Sequence, residues 1–554
     1  MSSEQVNSPQ PSAAETSNSP STNSQVPVES DPVVREQVKK RRTFAIISHP
    51  DAGKTTLTEK LLLYSGYLNV AGSVRARKNQ RAVTSDWMAM ERERGISITS
   101  TVLNINFQGF QINLLDTPGH QDFSEDTYRT LTAADCAVMV IDAAKGIEAQ
   151  TEKLFKVCAL RKIPILTFIN KMDRPGREPL QLLGEIEEVL GIGAAPLNWP
   201  IGSGTDFQGV YDRLKKQVNL FEPVAHGSLM VPTKVETLDA ESSALDPDLR
   251  KKLRDEIELL DGAGASFDRD KFLRAEVTPV FFGSALTNFG IEPFLSAFLE
   301  LSPPPGARDS DKGPIPADRS QFAGFIFKIQ ANMDPRHRDR IAFVRVCSGR
   351  FVRDMSVQHV QSGESIRISR SHRLFANNRE SMDEAYPGDI IGIVNPGGFH
   401  LGDTLCEGKP FQYKGMPQFS PEHFAILSCN ETLRRKQFVK GIDQLVEEGA
   451  IQILNDPNAF RKEPILAAVG QLQFEVVQYR LEAEYGAKTS IQKLPYSLAR
   501  WVEGTPEDLE ALQLPTSAMK TLDRENHVVA LFGGKWELEY CMKQNPKLEF
   551  KTVR

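Results

Sequence analysis

The stretch that most constrains this chain is Ser48–Glu59, which reads SHPDAGKTTLTE and follows the apolar run Phe44–Ile47. Its G-K-T end at 53–55 has the spacing of the phosphate-binding loop G-x-x-x-x-G-K-[ST], with Ser48 in place of the first glycine. In such a loop, backbone N–H groups surround the β-phosphate, the lysine neutralises phosphate charge and the hydroxyl ligates Mg²⁺. A buried strand before the loop and a helix from Leu57 onwards therefore predict an α/β nucleotide-binding fold.

Short apolar runs alternate with helical stretches as far as about residue 301, which predicts a mostly parallel sheet covered by helices. Ligands of such sheets bind at the carboxyl ends of the strands. The predicted strands are Phe44–Ile47, Ile112–Leu115, Ala137–Ile141, Ile165–Ile169 and Val280–Phe282.

The rest of the chain changes pattern twice. The Pro/Gly/Asp-rich segment 307–320 predicts a linker. Short β-like runs and turns over 321–412 predict a β-barrel, and the mixed periodicities over 419–554 predict one α+β unit. Residues 1–37 are rich in Ser and Pro and predict a disordered acidic tail. We therefore expect a nucleotide-binding domain at 38–306, with an insertion at about 203–265, before these two domains.

Composition excludes several classes of protein. No run of about 18 apolar residues occurs, so no membrane span is expected. The 6 cysteines form no C-x-x-C pair, which argues against a disulfide framework or a zinc site and favours the cytoplasm. The net charge of −6 gives no global attraction to nucleic acid, so any RNA contact must depend on local basic patches.

A second motif, NLLDTPGH at 113–120, places Asp116 and Gly119 after a predicted strand. The aspartate can reach the Mg²⁺ shell through water, and the Gly119 N–H can bind the γ-phosphate. This segment is therefore predicted to change conformation when the nucleotide is hydrolysed.

The base is predicted from FINKMD at 168–173. The Asp173 carboxylate can accept hydrogen bonds from N1–H and the 2-amino group of guanine, and adenine offers no such pair. Asn170 and Lys171 are expected to support the loop, and the backbone N–H groups of Ser284 and Ala285 to bind guanine O6. The predicted ligands are GTP or GDP with Mg²⁺.

These motifs, together with ERERGISITS at 91–100, resemble the translational GTPases. The resemblance implies that His120 orients the attacking water and that Ser97 takes the place of the family's magnesium-binding threonine. Segments 197–212, 325–349 and 384–393 are most similar to the class II release factors within that family. The expected fold is thus a P-loop GTPase domain with an inserted subdomain, a β-barrel domain and a C-terminal α+β domain.

The resemblance implies a ribosome-stimulated GTP hydrolase of translation termination that stimulates release and recycling of the codon-reading release factors. Expected partners are the ribosome, through its RNA and proteins, and those release factors; we expect a cytoplasmic monomer with no membrane contact. The alternatives are a translocation GTPase like elongation factor G, or a signalling GTPase that does not act on the ribosome. We expect one α+β domain after the barrel, where elongation factor G carries two more, which disfavours translocation.

The predicted site can now be stated in full. His120 is the predicted catalytic residue, and the predicted metal ligands are Thr55, Ser97 and, through water, Asp116. The residues predicted to contact the nucleotide are Ser48, His49, Pro50, Asp51, Ala52, Gly53, Lys54, Thr55, Asp116, Thr117, Pro118, Gly119, His120, Asn170, Lys171, Met172, Asp173, Ser284, Ala285 and Leu286.

Two basic segments remain open to two interpretations. Residues 433–441, LRRKQFVKG, and 336–340, RHRDR, could contact ribosomal RNA phosphates or be solvated surface. The tryptophans Trp199 and Trp536 are expected to serve packing.

Overall fold

The computed structural model describes residues 29–66, 99–222, 233–238, 245–264, 266–331, 340–369, 371–375, 378–395, 398–458 and 463–554. Its α-helices are α1 (Pro32–Lys39), α2 (Lys54–Tyr64), α3 (Ser124–Leu131), α4 (Ala149–Leu160), α5 (Pro179–Glu185), α6 (Pro247–Gly262), α7 (Arg269–Leu273), α8 (Ile291–Leu301), α9 (Arg435–Glu447), α10 (Leu472–Tyr485), α11 (Pro506–Glu510) and α12 (Lys535–Gln544).

The strands up to the end of the first α/β unit are β1 (Arg41–Ser48), β2 (Thr101–Phe107), β3 (Phe110–Asp116), β4 (Cys136–Asp142), β5 (Ile165–Asn170), β6 (Gly193–Pro196), β7 (Asn198–Ile201), β8 (Gly209–Asp212), β9 (Gln217–Phe221), β10 (Thr233–Thr237) and β11 (Val277–Phe282). The next are β12 (Arg308–Ser310), β13 (Gly313–Ile315), β14 (Ala323–Ala331), β15 (Arg340–Ser348), β16 (Phe351–Val352), β17 (Ser356–His359), β18 (Glu364–Arg367), β19 (Ser371–Phe375), β20 (Asn378–Ser381), β21 (Glu384–Ala385), β22 (Ile390–Asn395) and β23 (Thr404–Cys406). The last are β24 (His423–Cys429), β25 (Gln452–Leu454), β26 (Ile465–Ala468), β27 (Thr489–Lys493), β28 (Leu498–Glu503), β29 (Met519–Leu522), β30 (Val528–Phe532) and β31 (Glu549–Lys551).

The first sheet has the strand order β2-β3-β1-β4-β5-β11-β6 and is parallel except for its edge strand β2. Strand β1 is buried along its whole length. Alternate residues of β1 enter different cores: Phe44 packs with α8, and Ala45 packs with α4. The predicted α/β fold, covered on both faces, is confirmed, and β1, β3, β5 and β11 all end at one edge.

The predicted β-barrel is confirmed as a curled antiparallel sheet with the order β18-β17-β23-β14-β15-β22-β19-β20. One face encloses its own hydrophobic cluster, which includes Ile326 and Val344. Phe325 and Phe343 point the other way and belong to the core shared with the α/β unit. The two units are therefore joined by buried apolar contact.

Hydrogen bonds and an ion pair also connect these two units, at the end of the parallel sheet away from the predicted nucleotide site. The Gly388 carbonyl accepts hydrogen bonds from Thr43 Oγ1 at 2.8 Å and from Asn113 Nδ2 at 2.9 Å. The buried ion pair of Arg41 Nε with Asp389 Oδ2, at 2.8 Å, lies beside them. Gly388 has φ of 104°, and a Cβ there would come within 2.8 Å of Pro305 Cγ. Only glycine fits this approach without strain.

The C-terminal segment contains two sheets where the sequence predicted one α+β unit. The first has the order β25-β26-β24-β27 and is packed by α9 and α10, and the second has the order β29-β30-β28-β31. A common cluster that includes Phe424 and Trp501 joins the two sheets. The second sheet was not predicted, although its strand Val528–Phe532 is a continuous apolar run.

The predicted disordered tail was extended too far, because its last residues, 32–37, lie in α1. The Asp31 side chain accepts from the N–H of Val33 at 2.7 Å and caps the helix. Val34 then packs against Ala317 and Tyr386. Long-range burial thus orders a segment whose own composition favours disorder.

Two further boundaries differ from the prediction. The predicted linker holds the hairpin β12–β13, and the Arg308 guanidinium lies 4.1 Å from the centre of the Phe325 ring. The predicted insertion begins earlier than 203, since its antiparallel sheet β10-β9-β8-β7 starts at Asn198. Both segments are ordered by contacts that local sequence patterns do not show.

Candidate functional site

The predicted nucleotide residues lie at the carboxyl edge of the parallel sheet, where four strands end. Ser48 ends β1, Asp116 ends β3, Asn170 ends β5, and Ser284 follows β11. Because these strands are neighbours or near neighbours, the sheet brings together motifs that are up to 236 residues apart in the chain.

The phosphate-binding loop is held against β5 by a close contact. Gly53 has φ of 103° and precedes α2, and a Cβ there would lie 2.2 Å from Asn170 Nδ2. Asn170 Nδ2 donates to the Ala52 carbonyl at 2.8 Å. Any larger residue at 53 would displace this amide, so both the backbone conformation and the space require glycine.

Lys54 and Asp116 form a buried ion pair across the site. Lys54 Nζ donates to Asp116 Oδ1 at 2.7 Å, and the two side chains are 7% and 1% exposed. The second motif also lies against the loop, since a Cβ on Gly119 would be 3.8 Å from Pro50 Cα. The two motifs therefore form one continuous surface.

Asp116 also meets the requirement for a magnesium site. Its second oxygen, Oδ2, is buried and receives no hydrogen bond from the described residues. An unpaired buried carboxylate oxygen is costly and suits a hard cation that takes oxygen ligands. Thr55, half-buried in the first turn of α2, can offer a hydroxyl to the same ion. Ser97, the other predicted ligand, lies outside the described residues.

Asn170 also connects the loop to the segment after β11. Its Oδ1 accepts from the Ala285 N–H at 2.8 Å, while its Nδ2 serves the phosphate loop. Asp173 Oδ1 accepts from Ser284 Oγ at 2.6 Å, and the aspartate side chain stays 17% exposed. The phosphate loop, the 168–173 motif and the segment after β11 are thus connected by side-chain hydrogen bonds, and the Asp173 carboxylate is partly exposed at this edge of the sheet.

Two N–H groups that were predicted to bind the base have acceptors inside the protein. The Ser284 N–H donates to the Phe289 carbonyl at 2.9 Å, and the Ala285 N–H is bonded to Asn170. A hydrogen bond from either group to guanine O6 stays a prediction, and it requires that the internal bond be shared or broken. Leu286, whose side chain is 48% exposed, stays a predicted contact.

Lys171 is fixed by a charged partner from the neighbouring strand. It has φ of 69°, and its Nζ donates to Asp142 Oδ2 at 2.7 Å. Burial raises the pKa of Asp142, but the hydrogen bonds from Lys171 and from the Ala144 N–H outweigh it, so the pKa lies below its ordinary value. The carboxylate is therefore charged and holds the lysine stem beside the predicted base pocket.

His120 lies at the open end of the second motif. Its Nδ1 accepts from the Asp122 N–H at 3.3 Å, and the side chain is 30% exposed. An accepting Nδ1 places the proton of the neutral ring on Nε2. The ring can therefore present an N–H to a water molecule at its exposed side.

Several predicted contacts have partners inside the protein. Thr117 Oγ1 donates to the Ile46 carbonyl at 2.6 Å, and the Pro118 carbonyl accepts from Thr127 Oγ1 at 3.2 Å. His49 Nε2 lies 3.1 Å from Glu148 Oε1. These bonds help to fix the conformations of the loops, and they occupy only the atoms named.

The remaining predicted residues differ in exposure. Ser48 and Met172 are buried, and the Ser48 hydroxyl has no hydrogen-bond partner among the described residues. Asp51 is exposed and has φ of 67°. The structure therefore places every predicted nucleotide residue around this one edge, whereas direct contact with nucleotide stays a prediction for each.

Three residues that the sequence did not indicate belong to the site's surroundings: Asp142, Glu148 and Asp122. Asp142 ends β4, so the rule that ligand-binding groups follow parallel strands could have found it. Glu148 and Asp122 act through contacts with loops, for which no local sequence signal exists.

Family models match nearly the whole described chain. Residues 39–304 match the elongation factor Tu GTP binding domain, and 321–408 match elongation factor G domain 2. Residues 413–542 match the C-terminal domain of class II release factor RF3. The last match favours a termination factor over a translocation GTPase.

Curated relatives also favour a termination factor. The chain is 56% identical over 527 residues to peptide chain release factor 3 of Gloeobacter violaceus, covering 95% of this chain and 99% of the relative. It is 54% identical to the Acaryochloris marina protein of the same name, with 95% and 98% covered.

A crystal structure of a Thermus thermophilus protein superposes with a TM-score of 0.66 at 21% identity, covering 84% of this chain and 71% of that one. At that identity it supports the fold alone. The relatives and the family models together show that this chain belongs to the peptide chain release factor 3 family and is a GTPase of translation termination.

Proposed function

We propose that the ribosome stimulates GTP hydrolysis at this site, and that the cycle releases and recycles the codon-reading release factors after the peptide has left. The observation that carries the proposal is a physical connection. The segment that contains Asp116 and His120 leads into α3, which contacts β14 and, through Arg129, the Gly449 carbonyl. A change at the γ-phosphate therefore has a route to distant surfaces.

The proposed cofactors are GTP or GDP with Mg²⁺. Lys54 would neutralise phosphate charge, and Thr55, Asp116 and Ser97 would hold the ion with phosphate oxygens and water. The ion would supply charge stabilisation for phosphoryl transfer. The orphaned Asp116 Oδ2 supports this assignment.

Guanine selection is proposed for Asp173. Its side chain is oriented by Ser284 Oγ, and its second oxygen, Oδ2, lies 4.0 Å from Arg174 Nε. A carboxylate fixed in this way can accept from two guanine N–H groups, which adenine lacks.

His120 is proposed as the residue that orients the attacking water. The Nε2 proton deduced from its contact with Asp122 would donate to that water, while the Gly119 N–H would hold the γ-phosphate. Phosphoryl transfer depends chiefly on positioning and charge, so an unpositioned histidine gives slow hydrolysis. Ribosome binding would supply the positioning.

The first route from the site leads to the C-terminal sheets. Asp122 Oδ2 accepts from the Leu472 N–H at 2.7 Å, at the start of α10, and a Cβ on Gly470 would come within 2.3 Å of Asp122. Arg129 Nη1 donates to the Gly449 carbonyl at 2.8 Å. Movement of the turn that holds His120 must therefore move or break contacts with α10.

The second route leads to the curled β-sheet through Ser100. The Ser100 N–H donates to Asp126 Oδ2 at 2.7 Å, and its hydroxyl meets Thr130 Oγ1 at 2.9 Å. Lys328 Nζ, from β14, donates to the Ser100 carbonyl and hydroxyl. This lysine would register a change in the segment that carries Ser97, only three residues earlier.

The remaining proposals concern the location, the oligomeric state and the partners of the protein. We propose that the protein acts as a cytoplasmic monomer with the ribosome and the codon-reading release factors as partners. No helix in the described ranges has the length and apolar character to cross a membrane.

A peptide-release assay tests the function. Ribosomes paused at a stop codon would receive codon-reading factor at about one-tenth of their concentration, so that the factor must turn over. We expect this protein with GTP to raise the rate of later turnovers, and the nucleotide-free protein to have no effect. A rate that does not respond to this protein and GTP would contradict the proposal.

A further inference from the structure

Four cations at the start of α9 have no anionic partner among the residues that the structure describes. Arg434, Arg435, Lys436 and Lys440 are all exposed, and within the described ranges no ion pair or side-chain hydrogen bond involves any of them. We call these four residues the cationic face. They lie within seven consecutive positions, 434–440, of a chain whose net charge is −6.

The carboxylates nearby are used by other cations. Glu447 pairs with Arg340, and Asp443 Oδ1 pairs with Arg524 Nη2 at 2.7 Å. The charge of the cationic face is therefore not balanced by the acidic residues of its own helix. An anion from outside the chain would balance it.

Helix α9, which carries the cationic face, is held in place by its own apolar side. Phe438, Ile442 and Leu445 are buried in the cluster beneath the first C-terminal sheet. The apolar side of α9 is thus committed to the core and cannot enter a membrane as an interfacial helix does. The cations project from a rigid support, which lowers the entropy lost on binding.

The position of the charges also indicates an external anion. Arg435 and Lys436 lie in the first turn of α9, which has no acidic residue and no side-chain cap. Cations in a first turn are unfavourable, because the helix dipole is positive there. Such an arrangement costs stability in the free protein, and a bound anion would offset the cost.

We propose that the cationic face binds the phosphate backbone of ribosomal RNA. This inference rests on the proposed action at the ribosome and names the chemistry of one contact. Guanidinium groups bind phosphate through paired hydrogen bonds. Lysine is depleted from the centres of protein–protein interfaces, so the composition favours RNA over an acidic protein surface.

The test compares ribosome binding by two variants that each lose four positive charges. The first carries Arg434→Gln, Arg435→Gln, Lys436→Gln and Lys440→Gln. The control carries Lys488→Gln, Lys535→Gln, Lys543→Gln and Lys547→Gln, which replace cations elsewhere in the segment 419–554. Guanine nucleotide affinity is measured for both, and we expect it to equal that of the unmodified protein.

Co-sedimentation with ribosomes over a range of salt concentrations gives the main result. We expect the slope of log affinity against log salt to become shallower by about 3 in the first variant, since about 0.7–0.9 is lost per phosphate contact. The control should keep the original slope. An unchanged slope in the first variant would overturn the proposal, whereas unmodified protein that does not bind ribosomes would contradict the proposed function itself.

A cross-link identifies the partner. Leu433 is 95% exposed beside the cationic face, so a photoreactive side chain placed there would report what lies next to it. We expect attachment to ribosomal RNA. Attachment to a ribosomal protein alone would overturn the RNA assignment.

Discussion

Lys54 Nζ lies 2.7 Å from Asp116 Oδ1, so the lysine of the phosphate loop and the aspartate of the second motif form an ion pair that neutralises both charges. Both side chains are buried, so each charge depends on the other for compensation. If Lys54 binds phosphate as proposed, this pair must break or rearrange when GTP binds.

The first prediction concerns this pair. Asp116→Asn should lower the free energy of unfolding of the nucleotide-free protein by about 3 kcal/mol, because a buried ammonium loses its charged partner. GDP should restore part of the loss, since phosphate takes over that role. Chemical denaturation with and without GDP measures both effects.

The matched control is Asp318→Asn, which removes an exposed ion pair with Arg35. It should cost at most about 1 kcal/mol. If both variants lose the same free energy of unfolding, the buried Lys54–Asp116 pair stabilises the protein no more than an exposed ion pair does.

The second prediction concerns the base. Asp173→Asn should weaken GTP binding by about 10²- to 10⁴-fold, because two charge-assisted hydrogen bonds are lost. The amide can donate to the 2-oxo group of xanthine, so affinity for xanthosine triphosphate should rise. Competition binding with GTP and xanthosine triphosphate measures both affinities. An unchanged GTP affinity would show that Asp173 does not bind the base.

The third prediction concerns the contact between the Asp122 carboxylate and the Leu472 N–H. Asp122→Ala should leave GTP affinity unchanged and reduce ribosome-stimulated hydrolysis several-fold. The reason is that the turn that holds His120 loses its hydrogen bond from the Leu472 N–H. It should also cost about 1 kcal/mol of stability, as the loss of a helix cap does.

Thr505→Ala provides the comparison, since Thr505 caps α11 through the Asp508 N–H at 3.2 Å, far along the chain from α3. It should cost similar stability and leave hydrolysis unaffected. If both variants hydrolyse GTP equally, α10 has no influence on His120.

The fourth prediction concerns pH. The folded pKa of Asp142 lies below the ordinary 3.8, so the charged form contributes stability above that value and the contribution is lost as the pH falls. Asp142→Asn should therefore lower the free energy of unfolding by about 2 kcal/mol at neutral pH. The difference should shrink as the pH falls through about 4; a difference that grows on acidification would contradict the assignment.

Much of the nucleotide site could be predicted because its parts follow strands. The apolar runs before Ser48, Asp116 and Asn170 predicted strands that the structure contains, and parallel strands end at one edge. Local spacing was enough for these positions. The same rule applies to Asp142, which was overlooked although it follows an equally clear run.

Contacts between distant segments could not be predicted. Asp122 and Leu472 are 350 residues apart, and α1 is ordered by Tyr386, far along the chain. The Ser284 and Ala285 N–H groups were assigned to guanine because the internal acceptors Phe289 and Asn170 have no sequence signal. Each case depends on tertiary packing, which local propensity does not encode.

Trp536 shows the same limit for burial. It was expected to serve packing, but it is 74% exposed and stacks on Tyr540, with ring centres 5.8 Å apart. Trp199, expected to pack for the same reason, is 1% exposed. Hydrophobic character alone does not tell which face of a terminal helix is covered.

The account depends most on His120 acting as the residue that the ribosome positions. The most direct measurement is GTP turnover with and without ribosomes for the unmodified protein, for His120→Ala, and for the surface control His527→Ala. We predict normal GTP affinity in all three, strong ribosome stimulation in the first and third, and a loss of at least about 10²-fold in stimulated turnover for His120→Ala. Near-normal stimulated turnover in His120→Ala would contradict the account.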